Sequence, residues 1–197
     1  MTTFYLVRHG ACEGLGRTLW GRSGHVCLNE EGKAQAQRLA EYLKGVGLEA
    51  VYSSPLERAR ETAEAIARAA NLEVKQSPAF NEVDFGEWSG KSFNALSHDE
   101  RWRRFNTQRS VTRIPGGESF LEVQTRVVTE IERLSTRHQH VAIVSHADVI
   151  KAAVGYVAGT PIDLLQRFEI SPCSVTIIAT GEHDTKLLTV NSRCEPV

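Results

Sequence analysis

Short apolar runs alternate along this chain with longer segments in which apolar residues recur every three or four positions, as on one face of a helix. The runs at 3–8, 50–53 and 141–145 predict strands, and the unbroken last run is typical of a parallel strand buried on both faces. The remaining pattern predicts further strands at 174–180 and 186–191, and helices at 30–44, 55–70, 148–158 and from a Ser119 cap to about Arg137. This order favours a three-layer α/β/α sandwich with a mostly parallel central sheet.

Two of the predicted strands end in a histidine. Arg8-His9-Gly10 closes the first strand, and Val144-Ser145-His146 closes the strand at 141–145. Ligands of open α/β sheets bind outside the carboxyl ends of the strands, so both imidazoles are expected in one site. The Arg8 guanidinium suits a phosphate or carboxylate ligand. Because a single histidine at a strand end is more often structural, further elements are needed to define a site.

The segment after the strand at 50–53 has a strong helix-start pattern. Ser54 is the expected N-cap, Pro55 the first helical residue and Glu57 the partner in a capping box. Arg58 then falls in the first turn, where the helix dipole disfavours a cation. An anion bound at that N-terminus accounts for this arginine, and a solvated arginine on a charged helix is the alternative.

Acidic residues alternate with aromatic residues and glycines at 80–90, without helical periodicity. An ordered loop of this kind can hold a carboxyl group near apolar rings. Burial raises the pKa of such a group and makes it a proton donor near neutral pH. Composition alone does not choose among Glu82, Asp84 and Glu87, and a purely structural loop is the alternative.

The chain has 197 residues, of which 41% are apolar, and a formal net charge of −1. We expect one domain over 1–197, with a loop and cap at about 84–118 lying over the site because 92–106 is polar and predicts short helical pieces. Scattered basic residues and a net charge near zero make nucleic acid or an anionic membrane a poor partner. The chain begins with a strand and lacks a long apolar segment, so a cytoplasmic location is expected.

The cysteines show neither metal-ligand spacing nor a dense disulfide pattern; they are Cys12, Cys27, Cys173 and Cys194. Cys12 lies three residues after His9. No neighbouring residue in the sequence is expected to lower the pKa of its thiol, so thiol catalysis is a minor alternative.

Taken together, these segments resemble the histidine phosphatase superfamily, the phosphoglycerate-mutase-like proteins named for their Arg-His-Gly motif. The resemblance extends over nearly the whole chain in the family's order and spacing. Its motifs are Leu6-Val7-Arg8-His9-Gly10, the segment 28–36, Ser53-Ser54-Pro55-Leu56-Glu57-Arg58-Ala59, the loop from Asn81-Glu82 to Gly90, and Val144-Ser145-His146.

The resemblance implies a role for each motif residue. His9 is the nucleophile that becomes phosphorylated, and Arg8, Arg58 and His146 bind the phosphoryl oxygens. Glu82 matches the position of the proton donor. The cationic side chains supply the electrostatic stabilisation, so neither a metal nor a cofactor is expected.

Two departures from the family pattern affect the expected phosphate contacts. Many relatives follow the first motif with Glu-Thr and a nearby Asn, which this chain lacks. Arg22, which is flanked by glycines, is a candidate substitute for that Asn, and an exposed loop arginine is the alternative. Ala147 follows the second histidine where Gly is common, and its backbone N–H remains available as a donor.

The expected function is hydrolysis of a small phosphorylated metabolite through a phosphohistidine. A cofactor-dependent phosphoglycerate mutase is the first alternative, although mutases carry longer insertions around the site than this chain has room for. A non-catalytic phosphate-binding module is the alternative from another class, and the presence of the nucleophile and acid candidates argues against it. Sugar phosphates, phosphoglycerate, nucleotide-pathway esters and α-ribazole phosphate all remain open as substrates.

Overall fold

The computed structural model describes residues 1–23, 25–182 and 184–193, so Cys194 lies outside the described residues. The strands are β1 (Thr2–Arg8), β2 (Thr18–Leu19), β3 (Ala50–Ser53), β4 (Val74–Gln76), β5 (Lys91–Ser92), β6 (His140–Ser145), β7 (Val175–Thr180) and β8 (Thr185–Ser192). The α-helices are α1 (Glu30–Leu43), α2 (Glu57–Ala70), α3 (Phe93–Leu96), α4 (Glu100–Thr107), α5 (Phe120–Ser135) and α6 (Ala147–Val157). Short 3₁₀ helices cover Pro78–Phe80, Gly86–Trp88 and Ile162–Arg167.

The central sheet has the strand order β4-β3-β6-β1-β7-β8. β4, β3, β6 and β1 run parallel, and β7 and β8 add an antiparallel edge. This confirms the predicted mostly parallel sheet. A separate ribbon formed by β2 and β5 was not predicted, because two-residue strands have no detectable periodicity.

Helices pack on both faces of the central sheet, as a sandwich requires. β6 alternates its side chains between two cores: Val141 and Ile143 pack with apolar residues of α5 and α6, whereas Ala142 and Val144 pack with those of α1 and α2. Both faces of β6 are therefore buried, which explains its unbroken apolar sequence. Among the described residues, no helix is long and apolar enough to cross a membrane.

The start of α2 differs from the sequence-based expectation. The helix begins at Glu57 with Leu56 as its N-cap, rather than at Pro55 with Ser54 as its cap. Ser54 lies outside the helix because its backbone N–H continues the sheet by donating to the carbonyl of Val144 (2.9 Å). Arg58 nevertheless falls in the first turn, as expected. By contrast, the capping box of Ser119 and Glu122 at the start of α5 is confirmed.

The cap segment contains its own aromatic cluster. Ring centroids lie 5.3–6.4 Å apart among Phe85, Trp88, Phe93, Trp102 and Phe105. Trp88 and Phe105 are fully buried, so residues 92–106 pack through an apolar face that their polar composition concealed. Tilted and edge-on aromatic pairs of this kind hold the short helices α3 and α4 in place.

A close backbone approach fixes the end of β1 against the start of α1. A Cβ on Gly10 would lie 2.6 Å from the Gly32 carbonyl oxygen, and a Cβ on Gly32 would collide with the Ala11 carbonyl oxygen. Asn29 caps α1 by accepting from the Gly32 N–H (2.8 Å), and its own N–H donates to Ala11 (3.0 Å). Both glycines are therefore required by packing between two backbones.

We expect Gly32→Ala to destabilise the fold by about 1–3 kcal/mol, because the added methyl group must displace backbone rather than a flexible side chain. Urea unfolding followed by circular dichroism measures the change. Gly45→Ala is the matched control, since a Cβ there meets nothing within 4 Å. Equal stability of the two variants would contradict the close approach.

Candidate active site

The parallel register of β3, β6 and β1 brings three chain segments together at the carboxyl ends of these strands. Arg8 pairs with Ser145, and Ser53 pairs with Val144. The residue after β6 therefore lies between the residues that follow β1 and β3, and His9 donates its backbone N–H to the Ser145 carbonyl (2.9 Å). The His9 and His146 ring centroids are 5.1 Å apart, as the sequence predicted for a shared site.

His9 is buried, and its ring has a defined tautomer. Nδ1 lies 2.8 Å from the carbonyl oxygen of Gly10. A carbonyl only accepts, so Nδ1 carries the proton and Nε2 keeps a lone pair. Burial and the positive charges of Arg58 and Arg8 hold the pKa of His9 well below its usual range. The imidazole is thus neutral with Nε2 available as a nucleophile.

Arg58 lies between the two histidines. Its Nε donates to His9 Nε2 (3.3 Å), and its Nη2 lies 3.4 Å from His146 Nδ1 and donates to the Gly21 carbonyl (2.9 Å). Thr62 fixes the backbone of this turn by donating to the Arg58 carbonyl (2.8 Å) and accepting from the Gly10 N–H (3.1 Å). The predicted meeting of Arg58 with the histidines is present in the structure.

Arg8 and Ala147 complete the set of possible anion donors. Arg8 Nη1 donates to the Ile170 carbonyl (2.6 Å), and its buried Nε has no hydrogen-bond partner among the described residues. Ala147 is the first residue of α6, where helix N–H groups lack partners within the helix. Both positions present donors that an anion can satisfy.

Glu82 is the carboxyl group that the structure brings to the histidines. Its Oε2 lies 3.6 Å from His146 Nδ1, and Oε1 accepts from the Val83 N–H (2.8 Å). Burial raises the pKa of Glu82 to about 7, against the opposing attraction of Arg58. Asp84 and Glu87 are directed elsewhere: Asp84 accepts from the Gly86 N–H, and Glu87 forms an exposed ion pair with Arg101.

Arg22 supports the acid loop rather than lining the pocket. Its Nε donates to the Glu82 carbonyl (2.7 Å), and its Nη2 lies 3.0 Å from Glu118 Oε2. Arg126 donates to the same carbonyl (3.2 Å) and also pairs with Glu118 (3.1 Å). The two guanidinium groups therefore hold the backbone that carries the Glu82 side chain, a role that sequence analysis did not anticipate for Arg22.

Ser54 contributes to the site, whereas its sequence context predicted only an N-cap of α2. Its fully buried hydroxyl lies 2.8 Å from His146 Nε2 and 3.4 Å from Asn81 Oδ1. It orients the His146 ring from the side opposite Arg58. The helix-start pattern concealed this contact, because serine before proline is also a standard N-cap sequence.

The pocket in front of His9 is lined by polar groups at its inner end and apolar groups at its outer end. The lining residues are Arg8, His9, Cys12, Leu15, Gly16, Thr18, Leu19, Trp20, Gly21, Arg58, Glu82 and Phe93. Burial raises the pKa of the Cys12 thiol, so its neutral form is favoured. Within the described ranges, no group of three or more His, Cys, Asp or Glu side chains is arranged to hold a metal ion.

The fold and the site define an α/β protein in which two imidazoles and two guanidinium groups lie together beside one pocket. The model of the histidine phosphatase superfamily (branch 1) matches residues 4–193, and this chain belongs to that superfamily. The expected family resemblance is thereby confirmed.

Individual relatives extend the comparison. The chain is 32% identical over 204 residues to phosphoserine phosphatase 1 of Hydrogenobacter thermophilus, covering 98% of this chain and 94% of that protein. It is also 32% identical over 181 residues to a probable phosphoglycerate mutase, GpmB, of Proteus mirabilis, covering 89% and 84%. The solved structure of Bacillus stearothermophilus YhfR is similar with a TM-score of 0.91 and 29% identity, covering 98% of each chain.

We expect Ser54→Ala to weaken binding of inorganic phosphate about 5- to 10-fold, the effect of losing one hydrogen bond worth about 1 kcal/mol. Without the hydroxyl, the His146 ring loses its fixed orientation towards the anion. Isothermal titration calorimetry measures the affinity. Ser53→Ala is the matched control, since Ser53 is equally buried but its hydroxyl donates to the Ser54 carbonyl (2.7 Å). A larger loss in the control would assign the effect to packing alone.

Proposed function

We propose that this protein is a phosphomonoesterase that hydrolyses a small phosphorylated metabolite through a phosphohistidine at His9. The observation that carries this proposal is the neutral His9 imidazole, whose unprotonated Nε2 accepts from Arg58 Nε (3.3 Å) beside a pocket that Glu82 also lines. Family membership and the similarity to a named phosphatase support the same reaction.

The first step is attack of His9 Nε2 on phosphorus. The P–N bond forms as the P–O bond to the leaving group breaks, and the electron pair of that bond passes to the leaving oxygen. Arg8, Arg58 and His146, with the Ala147 N–H, stabilise the charge on the equatorial oxygens. Glu82 transfers its proton to the leaving alkoxide, which a carboxyl group with a pKa of about 7 can do at neutral pH.

The second step returns the enzyme to its starting state. The Glu82 carboxylate accepts a proton from water as the water oxygen attacks phosphorus, and the P–N bond breaks with its electron pair returning to His9. Inorganic phosphate is released. The guanidinium groups that replace a metal ion in the first step serve again here, and we propose metal-independent turnover on this ground.

The exposure of the pocket favours a hydrolase over a mutase, which would transfer the phosphoryl group back to a sugar acid. A mutase must exclude water while the phosphohistidine survives, whereas here the outer pocket wall includes Phe93, which is 37% exposed. The single cap of short helices leaves this side open to solvent. A non-catalytic module is disfavoured because nucleophile, acid and oxyanion donors converge on one pocket.

We expect His9→Ala to lower turnover of p-nitrophenyl phosphate by about 10⁴- to 10⁶-fold, the scale seen on removing a covalent nucleophile. The assay is run in EDTA. Rapid-quench experiments with a ³²P-labelled substrate should show an acid-labile, alkali-stable label on the wild type and none on the variant. His25→Ala is the control, since this histidine side chain is 93% exposed. Label that persists in His9→Ala would assign the nucleophile to another residue.

We expect kcat/KM for an alkyl phosphate to fall as pH rises above about 7. Glu82 donates a proton only in its protonated form, and a pKa of about 7 means that this form is present below pH 7 and is lost above it. Glu82→Gln should abolish this alkaline limb and lower kcat by about 10²- to 10⁴-fold. Phosphorylation by p-nitrophenyl phosphate, measured as a pre-steady-state burst, should change little because nitrophenolate leaves without a proton.

Two matched carboxyl variants test whether the assignment to Glu82 is correct. Asp84→Asn and Glu87→Gln remove neighbouring carboxylates of the same loop, and we expect small effects that do not depend on the leaving group. A leaving-group-dependent defect in either variant, with Glu82→Gln close to wild type, would move the acid to that residue.

A further inference from the structure

The outer half of the active-site pocket is apolar, and the mechanism proposed above does not use it. Four side chains form this apolar wall, which comprises Leu15, Leu19, Trp20 and Phe93. The phosphoryl-binding residues lie at the inner end of the same pocket. A phosphate ester bound at His9 therefore directs the rest of the molecule towards the apolar wall.

The apolar wall is held in place from behind. Leu19 belongs to β2, which pairs with β5 so that Leu19 lies opposite Lys91, and its carbonyl accepts from the Gly90 N–H (2.7 Å). Trp20 Nε1 donates to the Glu13 carbonyl (2.7 Å), which fixes the indole. Ordered apolar side chains that remain partly exposed next to a reactive centre are typical of a ligand site.

Phe93 is the most exposed residue of the apolar wall. It belongs to α3 of the cap and is held there by two contacts. Its ring centroid lies 6.2 Å from that of Trp102, and its backbone N–H donates to the Arg17 carbonyl (3.0 Å). The ring is 37% exposed, so a ligand can still bury part of it.

The charges of the pocket disfavour a second anionic group on the preferred substrate. Among the described residues lining the pocket, the only cations are Arg8 and Arg58, and both lie beside His9 where they contact the transferred phosphoryl group. Arg17, which precedes β2, and Lys91 of β5 are exposed and are not among the lining residues. A carboxylate on the leaving group would face the apolar wall, Thr18 and Glu82, with no further cation among the described lining residues.

We propose that the preferred substrates are phosphate monoesters of uncharged, apolar or aromatic alcohols, with Phe93 as a residue that sets this preference. The proposal rests on the proposed phosphatase activity. It assigns the leaving group to the apolar wall and makes esters of acidic alcohols poor substrates.

The test compares 4-methylbenzyl phosphate with 4-carboxybenzyl phosphate, which share a benzylic leaving oxygen and differ in the distal group. We expect the wild type to prefer the methyl ester by at least about tenfold in kcat/KM. Phe93→Ala should lower kcat/KM for the methyl ester about 5- to 20-fold, mainly through KM, because apolar contact area is lost. The carboxyl ester should change by less than about twofold.

Two further variants separate specificity from stability. Phe93→Leu retains an apolar side chain and should restore most of the preference for the methyl ester. Leu121→Ala removes an exposed apolar side chain on α5, outside the pocket lining, and should change neither substrate.

The possible failures are distinguishable. Equal kcat/KM values for the two esters in the wild type, or an equal loss of both in Phe93→Ala, would overturn the proposed preference while leaving the phosphatase assignment intact. Hydrolysis of p-nitrophenyl phosphate and the carboxyl ester without the methyl ester would do the same. Hydrolysis of no monoester at all would overturn the proposed function and the preference with it.

Discussion

The site depends on one constraint, the parallel pairing of β6 between β1 and β3 in a register that ends all three strands at the same level. Each strand contributes a buried apolar stretch and then stops at a polar residue: His9, Ser54 or His146. Backbone hydrogen bonds from His9 to Ser145 and from Ser54 to Val144 continue the ladder to the site itself. Side chains so close to a hydrogen-bonded sheet have little freedom, which is the preorganisation that an anion site requires.

Burial in this edge of the sheet acts oppositely on the two kinds of titratable group. It lowers the pKa of His9 and of His146, where the guanidinium groups reinforce it, and it raises the pKa of Glu82. The same environment therefore supplies a neutral imidazole and a carboxyl group that is partly protonated near neutral pH. Titratable groups whose pKa values are displaced in this way are suited to be nucleophile and acid.

The acid loop is held by a structure of its own. Arg22 and Arg126 both donate to the carbonyl of Glu82, and both pair with Glu118, which also accepts from the Asp84 N–H (3.0 Å). These partly buried ion pairs hold the backbone around the acid in one conformation. The direct contacts of the carboxyl group are the Val83 N–H (2.8 Å) and His146 Nδ1 (3.6 Å).

The order of the main strands and helices, and the end of the sheet at which the motifs meet, could be predicted from local residue patterns. Strong periodicity and the capping box at Ser119 and Glu122 made α5 and β6 predictable, because these elements are specified by local burial patterns. His9, Arg8, Arg58 and His146 were also predictable as a group, since strand ends and a helix start locate them. The choice of Glu82 over its neighbours came from family resemblance rather than from composition.

Contacts between distant segments could not be predicted in this way and are visible only in the folded chain. Ser54 lies outside α2, where its hydroxyl contacts His146 and accepts from the Leu56 N–H (3.3 Å), because its own N–H joins β6 and its side chain is buried there. Arg22 supports the Glu82 loop, a pairing across 60 residues of chain that no local pattern encodes. The apolar wall is likewise not encoded by a local pattern, because it forms where the two-residue strands β2 and β5 lie beside α3. Such contacts are set by the packing of whole elements, so the pattern of residues within each segment could not specify them.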